Sequence, residues 1–401
     1  MNIPPYSPLA SHWKLNRQTT FLNHGSFGAC PTPILDKQQS LRLQMEEDPV
    51  KFMVNKLEDL MWESKNSLAK FTGCKAENIV FTSNATSSVN FVMQSLVFQP
   101  GDEILTHNHI YGACLNTLKV KAVASKARLV ICDIPFPLNN EEEIIRAFLN
   151  CVTPKTKFAL IDHITSATGI IFPVNKLTRA LQEKGVQVMI DGAHAPGMVE
   201  LNIKETGAEY FGGNCHKWIC TPKGSAFLYV REDMQKNIHP LIISHTYDKP
   251  VGSKRWSGQF MWTGTSDYTP WLCIPEAIDF MGSLMGSWEK LREYNRNLVL
   301  LGRNLVLQKL NAFAPSPDSM IGSLSTIQLP IPYEQPEYSF NYTHPVGTLL
   351  YSKYGIQIPI HMWPEKDTKV WIRISAQAYN SPEQMQYLAG AIEEIFRENK
   401  I

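Results

Sequence analysis

Val186-Gln187-Val188-Met189-Ile190-Asp191-Gly192-Ala193-His194 is a nearly continuous apolar run that ends on a carboxylate. A second run, Glu209-Tyr210-Phe211, leads into Gly212-Gly213-Asn214-Cys215-His216-Lys217-Trp218. Short apolar runs without polar alternation are strands buried on both faces, as in a parallel sheet covered by helices. In such sheets, ligands bind beyond the carboxyl ends of the strands. Asp191 and Lys217 both fall in that region, one at the mouth of each strand.

Moving outward, strand and helix patterns alternate from about residue 55 to 235. Residues 56–72 have amphipathic helical spacing, and Gly73 ends them. Asn78–Thr82, Glu103–Thr106, Arg128–Cys132, Lys157–Asp162 and Ser225–Val230 are further apolar strands. Ala85–Leu96 reads as a helix. Asn140 and Glu143 form a capping box, and Asn175 caps a helix that stops at Gly185. The fold class is α/β, a mostly parallel seven-stranded sheet in a large domain. From Pro275 the pattern changes to a long helix reaching about Leu310, then a Pro-rich stretch from Pro315 to Pro336. Strand 370–374 and helix 382–398 follow. The expected division is residues 21–274 for the large domain and 275–401 for a smaller C-terminal α/β domain, with 1–20 as an N-terminal arm.

The 401 residues, 44% of them hydrophobic, are enough for an extensive core. Net charge is +1 and the basic residues are scattered, which argues against a nucleic-acid or membrane surface. No apolar run approaches the ~20 residues of a membrane span. Met1–Pro8 lacks a basic segment followed by an apolar core, so a secretory signal is not expected. The eight cysteines stand singly, without a C-x-x-C pair, which fits reduced thiols in a cytoplasmic protein.

A strand-end carboxylate and a strand-end Lys are the two protein groups that pyridoxal phosphate (PLP) requires. The Lys amine forms a Schiff base, and the carboxylate holds a proton on the ring nitrogen. Other residues answer the cofactor's remaining needs. Thr82-Ser83-Asn84-Ala85-Thr86-Ser87-Ser88 joins a strand to a helix, so its backbone N–H groups suit a phosphate at a helix N-terminus. Taken alone, an ordinary Ser/Thr-rich N-cap is the plainer reading of that segment. Asn214 and His216 add donors beside Lys217, and His194 is placed to reach the ring hydroxyl. His109 and Tyr111 are alternative stacking residues. Their loop has no carboxylate or Cys partner, so no metal is expected. Arg373, in Trp371-Ile372-Arg373-Ile374-Ser375, suits a bidentate substrate carboxylate, although an edge-strand Arg facing solvent gives the same pattern.

The pattern resembles the class V aminotransferase-fold PLP enzymes, and within them the isopenicillin N epimerase-like branch. The stretches that carry it are Phe21–Gly28, Asn84-Ala85-Thr86, His109–Ala113, Asp162–Ser166, Asp191–Ala195, Asn214–Lys217, Trp262–Asp267, Arg373-Ile374-Ser375 and Tyr379-Asn380. The resemblance implies a fold-type I homodimer with shared active sites. Thr265 would reach the phosphate of the neighbouring subunit's cofactor, the N-terminal arm would pack on the small domain, and Asn23 and His24 would lie near the substrate. Most members have Ser where this chain has Asn214. Cysteine desulfurases carry a nucleophilic Cys shortly before the carboxylate-binding Arg. Here the last Cys is Cys273, far ahead of Arg373, which disfavours persulfide chemistry.

The expected activity is at Cα of an amino acid or a short amino-acid-containing substrate, with Lys217 as base and Asp191 keeping the ring protonated. Epimerisation comes first on the resemblance, with Tyr111 or His109 as the acid on the opposite face. A C–S lyase is close behind, and an aminotransferase is a third outcome. From other classes, a non-catalytic PLP-binding protein carries low weight. So does a nucleotide-binding enzyme, because neither a G-x-G-x-x-G turn nor a P-loop is present. The segments around Lys254-Arg255-Trp256 and Ile358–Trp363 are expected to shape the substrate pocket together with the N-terminal arm.

Overall fold

A computed structural model describes residues 3–248, 255–332, 344–364 and 368–397. Lys254 and Pro336, and the end of the last helix at Glu398, lie outside the described residues. Seven strands form the main sheet: β1 (Ile79–Thr82), β2 (Glu103–His107), β3 (Arg128–Cys132), β4 (Thr156–Asp162), β5 (Gln187–Gly192), β6 (Tyr210–Asn214) and β7 (Ala226–Val230). Their spatial order is β1-β7-β6-β5-β4-β2-β3. Pairing is parallel from β6 through β3, and only β7 runs against its neighbours. The sheet is therefore α/β and mostly parallel. The interior strands β6 and β7 are buried at every position, whereas the edge strand β3 is buried only at Cys132. Two-sided burial is what the continuous apolar runs encode.

The C-terminal part holds a three-stranded antiparallel sheet: β8 (Leu324–Gln328), β9 (Ile360–Trp363) and β10 (Lys369–Ser375), with β10 in the centre. Helices Trp288–Leu310 and Pro382–Arg397 pack against each other beside it. The N-terminal segment ties itself to this region. Thr20–Phe21 pairs with Ile356–Gln357, and the Ser7 N–H donates to Tyr379 O at 3.0 Å. Among the described residues, no helix is long and apolar enough to cross a membrane.

Three expectations change. The long helix is two, Ile274–Ser283 and Trp288–Leu310. Gly286 takes a left-handed φ of 85°, and Ser287 then caps the second helix by accepting the Lys290 N–H. The helix Val174–Gln182 starts from Pro173, with Asn175 inside its first turn and making no cap. A proline's missing N–H and restricted φ suit a helix start, so the cap is not needed there. At Asn140, the side chain accepts the N–H groups of Glu142 and Glu143. Glu143, however, reaches back to Asn139, one residue earlier than a capping box predicts.

Candidate functional site

Strands β4, β5 and β6 end side by side. Asp162 and Asp191 are register partners, and Asp191 in turn faces Gly212. After β6 the chain turns back on β7, with the N–H groups of Cys215 and His216 both donating to Ser225 O. That turn carries Lys217 over the strand ends. Gly28 lets the N-terminal segment approach it, since a Cβ there would sit 2.1 Å from His216 O at a φ of +70°. A cavity of about 580 Å³ opens at this place. Its lining includes Asn84, Ala85, Thr86, Tyr111, Asp191, His194, Asn214, His216 and Lys217. His109, Thr265, Arg373, Asn23 and His24 are not among the lining residues.

Lys217 is partly buried at the cavity wall, and its Nζ lies 3.0 Å from His194 Nε2. The indole N–H of Trp218 donates to His194 Nδ1 at 3.3 Å. His194 therefore carries its proton on Nε2 and donates to the Lys217 amine, which must offer a lone pair. The electrostatics agree: burial, reinforced by the Arg373 charge, lowers the Lys217 pKa to about 7. His194 is thus engaged with the lysine, its ring held by Trp218.

Asp191 is buried, and its oxygens accept the Ala193 N–H at 3.0 Å and the Cys114 S–H at 3.2 Å. Burial, with a contribution from Asp162, pushes its pKa up to about 6. Among the described residues, no cationic side chain hydrogen-bonds it. A buried carboxylate without a cation is costly, and a protonated ring nitrogen supplies the missing partner. The donor set fits PLP on this observation.

At the other end of the cavity, Asn84 caps helix Ala85–Ser95 by accepting the Ser87 N–H at 2.8 Å. The Ala85 N–H is taken by Asn214 Oδ1 at 2.8 Å, so Asn214 clamps this helix end to β6. That leaves the Thr86 N–H and the nearby hydroxyls as helix-terminal donors for an anion. His216 donates from Nδ1 to Ser225 O, and burial lowers its pKa to about 4. Its neutral ring therefore presents an acceptor at Nε2, and it becomes a phosphate donor only by taking up a proton.

Arg373 lies on the central strand β10 and is buried, not exposed at an edge. One guanidinium nitrogen donates to Ser166 O at 2.6 Å. The other donates to Ser26 Oγ at 3.0 Å and points at Asn23 Oδ1 at 3.4 Å. Ser26 and Ser166 both line the cavity, so the guanidinium sits directly behind its wall. All these partners are neutral, and burial lowers its pKa to about 10. A buried cation held only by neutral acceptors is poised for an anion.

His24 is placed behind Lys217. It donates from Nε2 to Lys217 O and accepts from the Tyr379 hydroxyl at Nδ1, both at 2.9 Å. His109 packs on Trp363, with ring centroids 4.2 Å apart, and pairs with Thr168. Tyr111 is half-exposed and faces the cavity. Thr265 is exposed on the surface.

Several residues at this site escape a sequence reading. Asp162 carries the same signal as Asp191, a carboxylate ending an apolar strand, and lines the same cavity. Ser26 and Ser166, which hold Arg373, sit in stretches that carry the family resemblance. Cys114 has no signal at all, because only the fold brings its helix over Asp191.

Comparison with known proteins agrees with this geometry. A "Probable L-cysteine desulfhydrase, chloroplastic" of Arabidopsis thaliana is 27% identical over 94% of this chain and 83% of its own length. An isopenicillin N epimerase of Amycolatopsis lactamdurans is 28% identical over 95% and 96%. Among solved structures, a C-DES variant with glycine covalently linked to the PLP cofactor superposes with a TM-score of 0.78. It shares 18% identity and covers 97% of this chain and 100% of its own, which establishes the fold-type I architecture. The family model "Aminotransferase class-V" matches residues 31–388. With a neutral lysine and a cation-seeking carboxylate converging at the strand ends, the chain belongs to the class V aminotransferases and takes pyridoxal phosphate as its cofactor.

Proposed function

We propose that this enzyme removes the Cα proton of an amino acid and expels a sulfur substituent from the neighbouring carbon, as a C–S lyase. When bound, PLP supplies an electrophilic carbonyl for the substrate amine and an electron sink for the pair left at Cα. Lys217 is the base that takes the Cα proton, and its neutral amine at physiological pH suits that role. Asp191 holds the charge that keeps the ring nitrogen protonated. Arg373, released from its contacts with Ser26 and Ser166, orients the substrate carboxylate.

The observation that carries the reading is the state of Tyr111. It is the cavity-lining candidate for the acid opposite Lys217, and burial raises its phenol pKa. At neutral pH such a phenol is protonated and is not available as a base. An epimerase must run both ways and needs a base on each face, whereas elimination needs only Lys217. The Arabidopsis relative named as a probable desulfhydrase supports the lyase reading. Epimerisation is the second reading, supported by the Amycolatopsis relative and by the position of Tyr111 at the cavity.

Incubation with a panel of cysteine derivatives and other amino acids in D2O separates the two. Sulfide or thiol release, with a keto acid left behind, supports the lyase. Deuterium at Cα with inversion and no release overturns it in favour of the epimerase. We further propose a homodimer that completes the site. Phe27 and Leu241 line the cavity yet are 73% and 45% exposed, which suits cover by a second copy. Thr265 would then serve the neighbouring cofactor. The division of the chain near residue 275 is proposed because the seven-stranded sheet lies before it and the three-stranded sheet after it.

A further inference from the structure

Asp162 is the buried acid that the mechanism above does not use. It pairs in register with Asp191 on adjacent parallel strands, roughly 4.8 Å apart, and both side chains line the same cavity. Asp191 has two hydrogen-bond donors, but Asp162 Oδ1 has none. What faces it is His107 Nε2, at 3.3 Å. That nitrogen already accepts the Asp162 backbone N–H, also at 3.3 Å, and so bears a lone pair. Two lone pairs oppose each other there unless a proton lies between them.

The surroundings decide which partner carries it. His107 is enclosed by the rings of Phe148 and Phe172, with centroids 5.6 and 5.0 Å away, and these do not solvate an imidazolium. The other titratable groups that interact with Asp162 are Cys114 on helix Gly112–Ser125, Asp191 on β5 and Lys217 after β6. Of these, Asp191 carries the charge, since the Lys217 amine is held neutral by His194. Two ionised carboxylates on adjacent strands repel strongly at this burial, so one of the pair keeps its proton. Burial also pushes Asp162 well above the ordinary carboxylate range.

We propose that Asp162 is a second carboxyl of the cofactor site, held protonated, so that the Asp162–Asp191 pair carries one negative charge and that charge resides on Asp191. Asp162 is then a positioning residue. With its proton kept on the carboxyl and directed at the His107 Nε2 lone pair, Asp162 leaves Asp191 as the single anion available to the ring nitrogen. The proposal rests on the assignment of this cavity to PLP, which the cofactor's visible absorption reports independently.

Infrared difference spectroscopy on the holoenzyme tests it. At neutral pH the wild type should show the C=O stretch of a protonated carboxylic acid. That band should be lost in Asp162→Asn and retained in Asp191→Asn. His107→Gln, which replaces the ring lone pair with an amide, should move the band in frequency, so the test stands even where Asp162→Asn does not fold. A yellow wild-type protein without the band, a band that survives Asp162→Asn, or a band indifferent to His107→Gln overturns the proposal. A colourless protein instead overturns the cofactor assignment.

Discussion

The Lys217 amine accepts a hydrogen bond from His194 Nε2 at 3.0 Å, because the Trp218 indole N–H occupies the other ring nitrogen. One imidazole thereby holds the lysine in its uncharged, nucleophilic form. Burial alone lowers a lysine pKa, but the oriented ring also fixes where its lone pair points.

Lys217 should therefore react with small aldehydes at lower pH than any surface lysine. Its reductive labelling in the apoprotein should rise through about pH 7 and then level off. Site-resolved mass spectrometry across the pH range checks this, and a rate still climbing at pH 10 contradicts it. The linkage has a definite sign. Between about 7 and 10.5 the unfolded chain keeps a proton on Lys217 that the folded chain lacks, so this residue's contribution to stability becomes more favourable as pH rises through that window.

Replacing Asp191 with Asn should remove the anion that keeps the cofactor ring protonated. A loss of about 10²–10³-fold in kcat is expected for such a preorganised electrostatic group. Cofactor affinity should weaken in the variant at pH 8, and the gap from wild type should narrow as the pH falls through about 6, where Asp191 itself takes up a proton. Fluorescence titration of the apoproteins measures both.

Arg373 gives opposite predictions for binding and stability. Arg373→Met should raise KM by roughly 10–100-fold, the equivalent of a lost charge-assisted hydrogen bond. The same change should leave the apoprotein as stable as wild type or more so, because it removes a buried cation held only by neutral partners. Steady-state kinetics and thermal unfolding read the two effects separately.

His24→Ala should act the other way. It strands the Tyr379 hydroxyl and the Lys217 carbonyl, both paired with His24 and buried around it. A destabilisation of about 1–3 kcal/mol is expected, with KM for the amino acid unchanged because His24 does not line the cavity. An unchanged melting temperature with a raised KM would return His24 to the substrate.

The interior strands of the main sheet were legible because burial on both faces makes them continuous apolar runs, and both Asp191 and Lys217 stand out at their ends. β8 was not legible, since Leu324-Ser325-Thr326-Ile327-Gln328 is half polar and follows several prolines; it is buried because β10 pairs with it and helix Trp288–Leu310 packs on it. The split of the long helix depends on a single left-handed residue, Gly286, within a segment that otherwise has helical composition. In the site, residues that act from a strand end could be read, and those that act by contact could not. Cys114 on Asp191, His107 on Asp162, and the two serines on Arg373 are separated in sequence and meet only in the fold. His24 and His109 are not among the residues that line the cavity, and they pack in pairs with Tyr379 and Trp363 that the sequence does not announce.

The central claim is that Lys217 holds the cofactor covalently. Purified holoenzyme should be treated with borohydride, digested and sequenced by mass spectrometry. The account predicts one modified peptide, containing His216-Lys217-Trp218, with the reduced cofactor on Lys217, and no such adduct in Lys217→Ala. Attachment at any other lysine, or cofactor released entirely on denaturation after reduction, would contradict it.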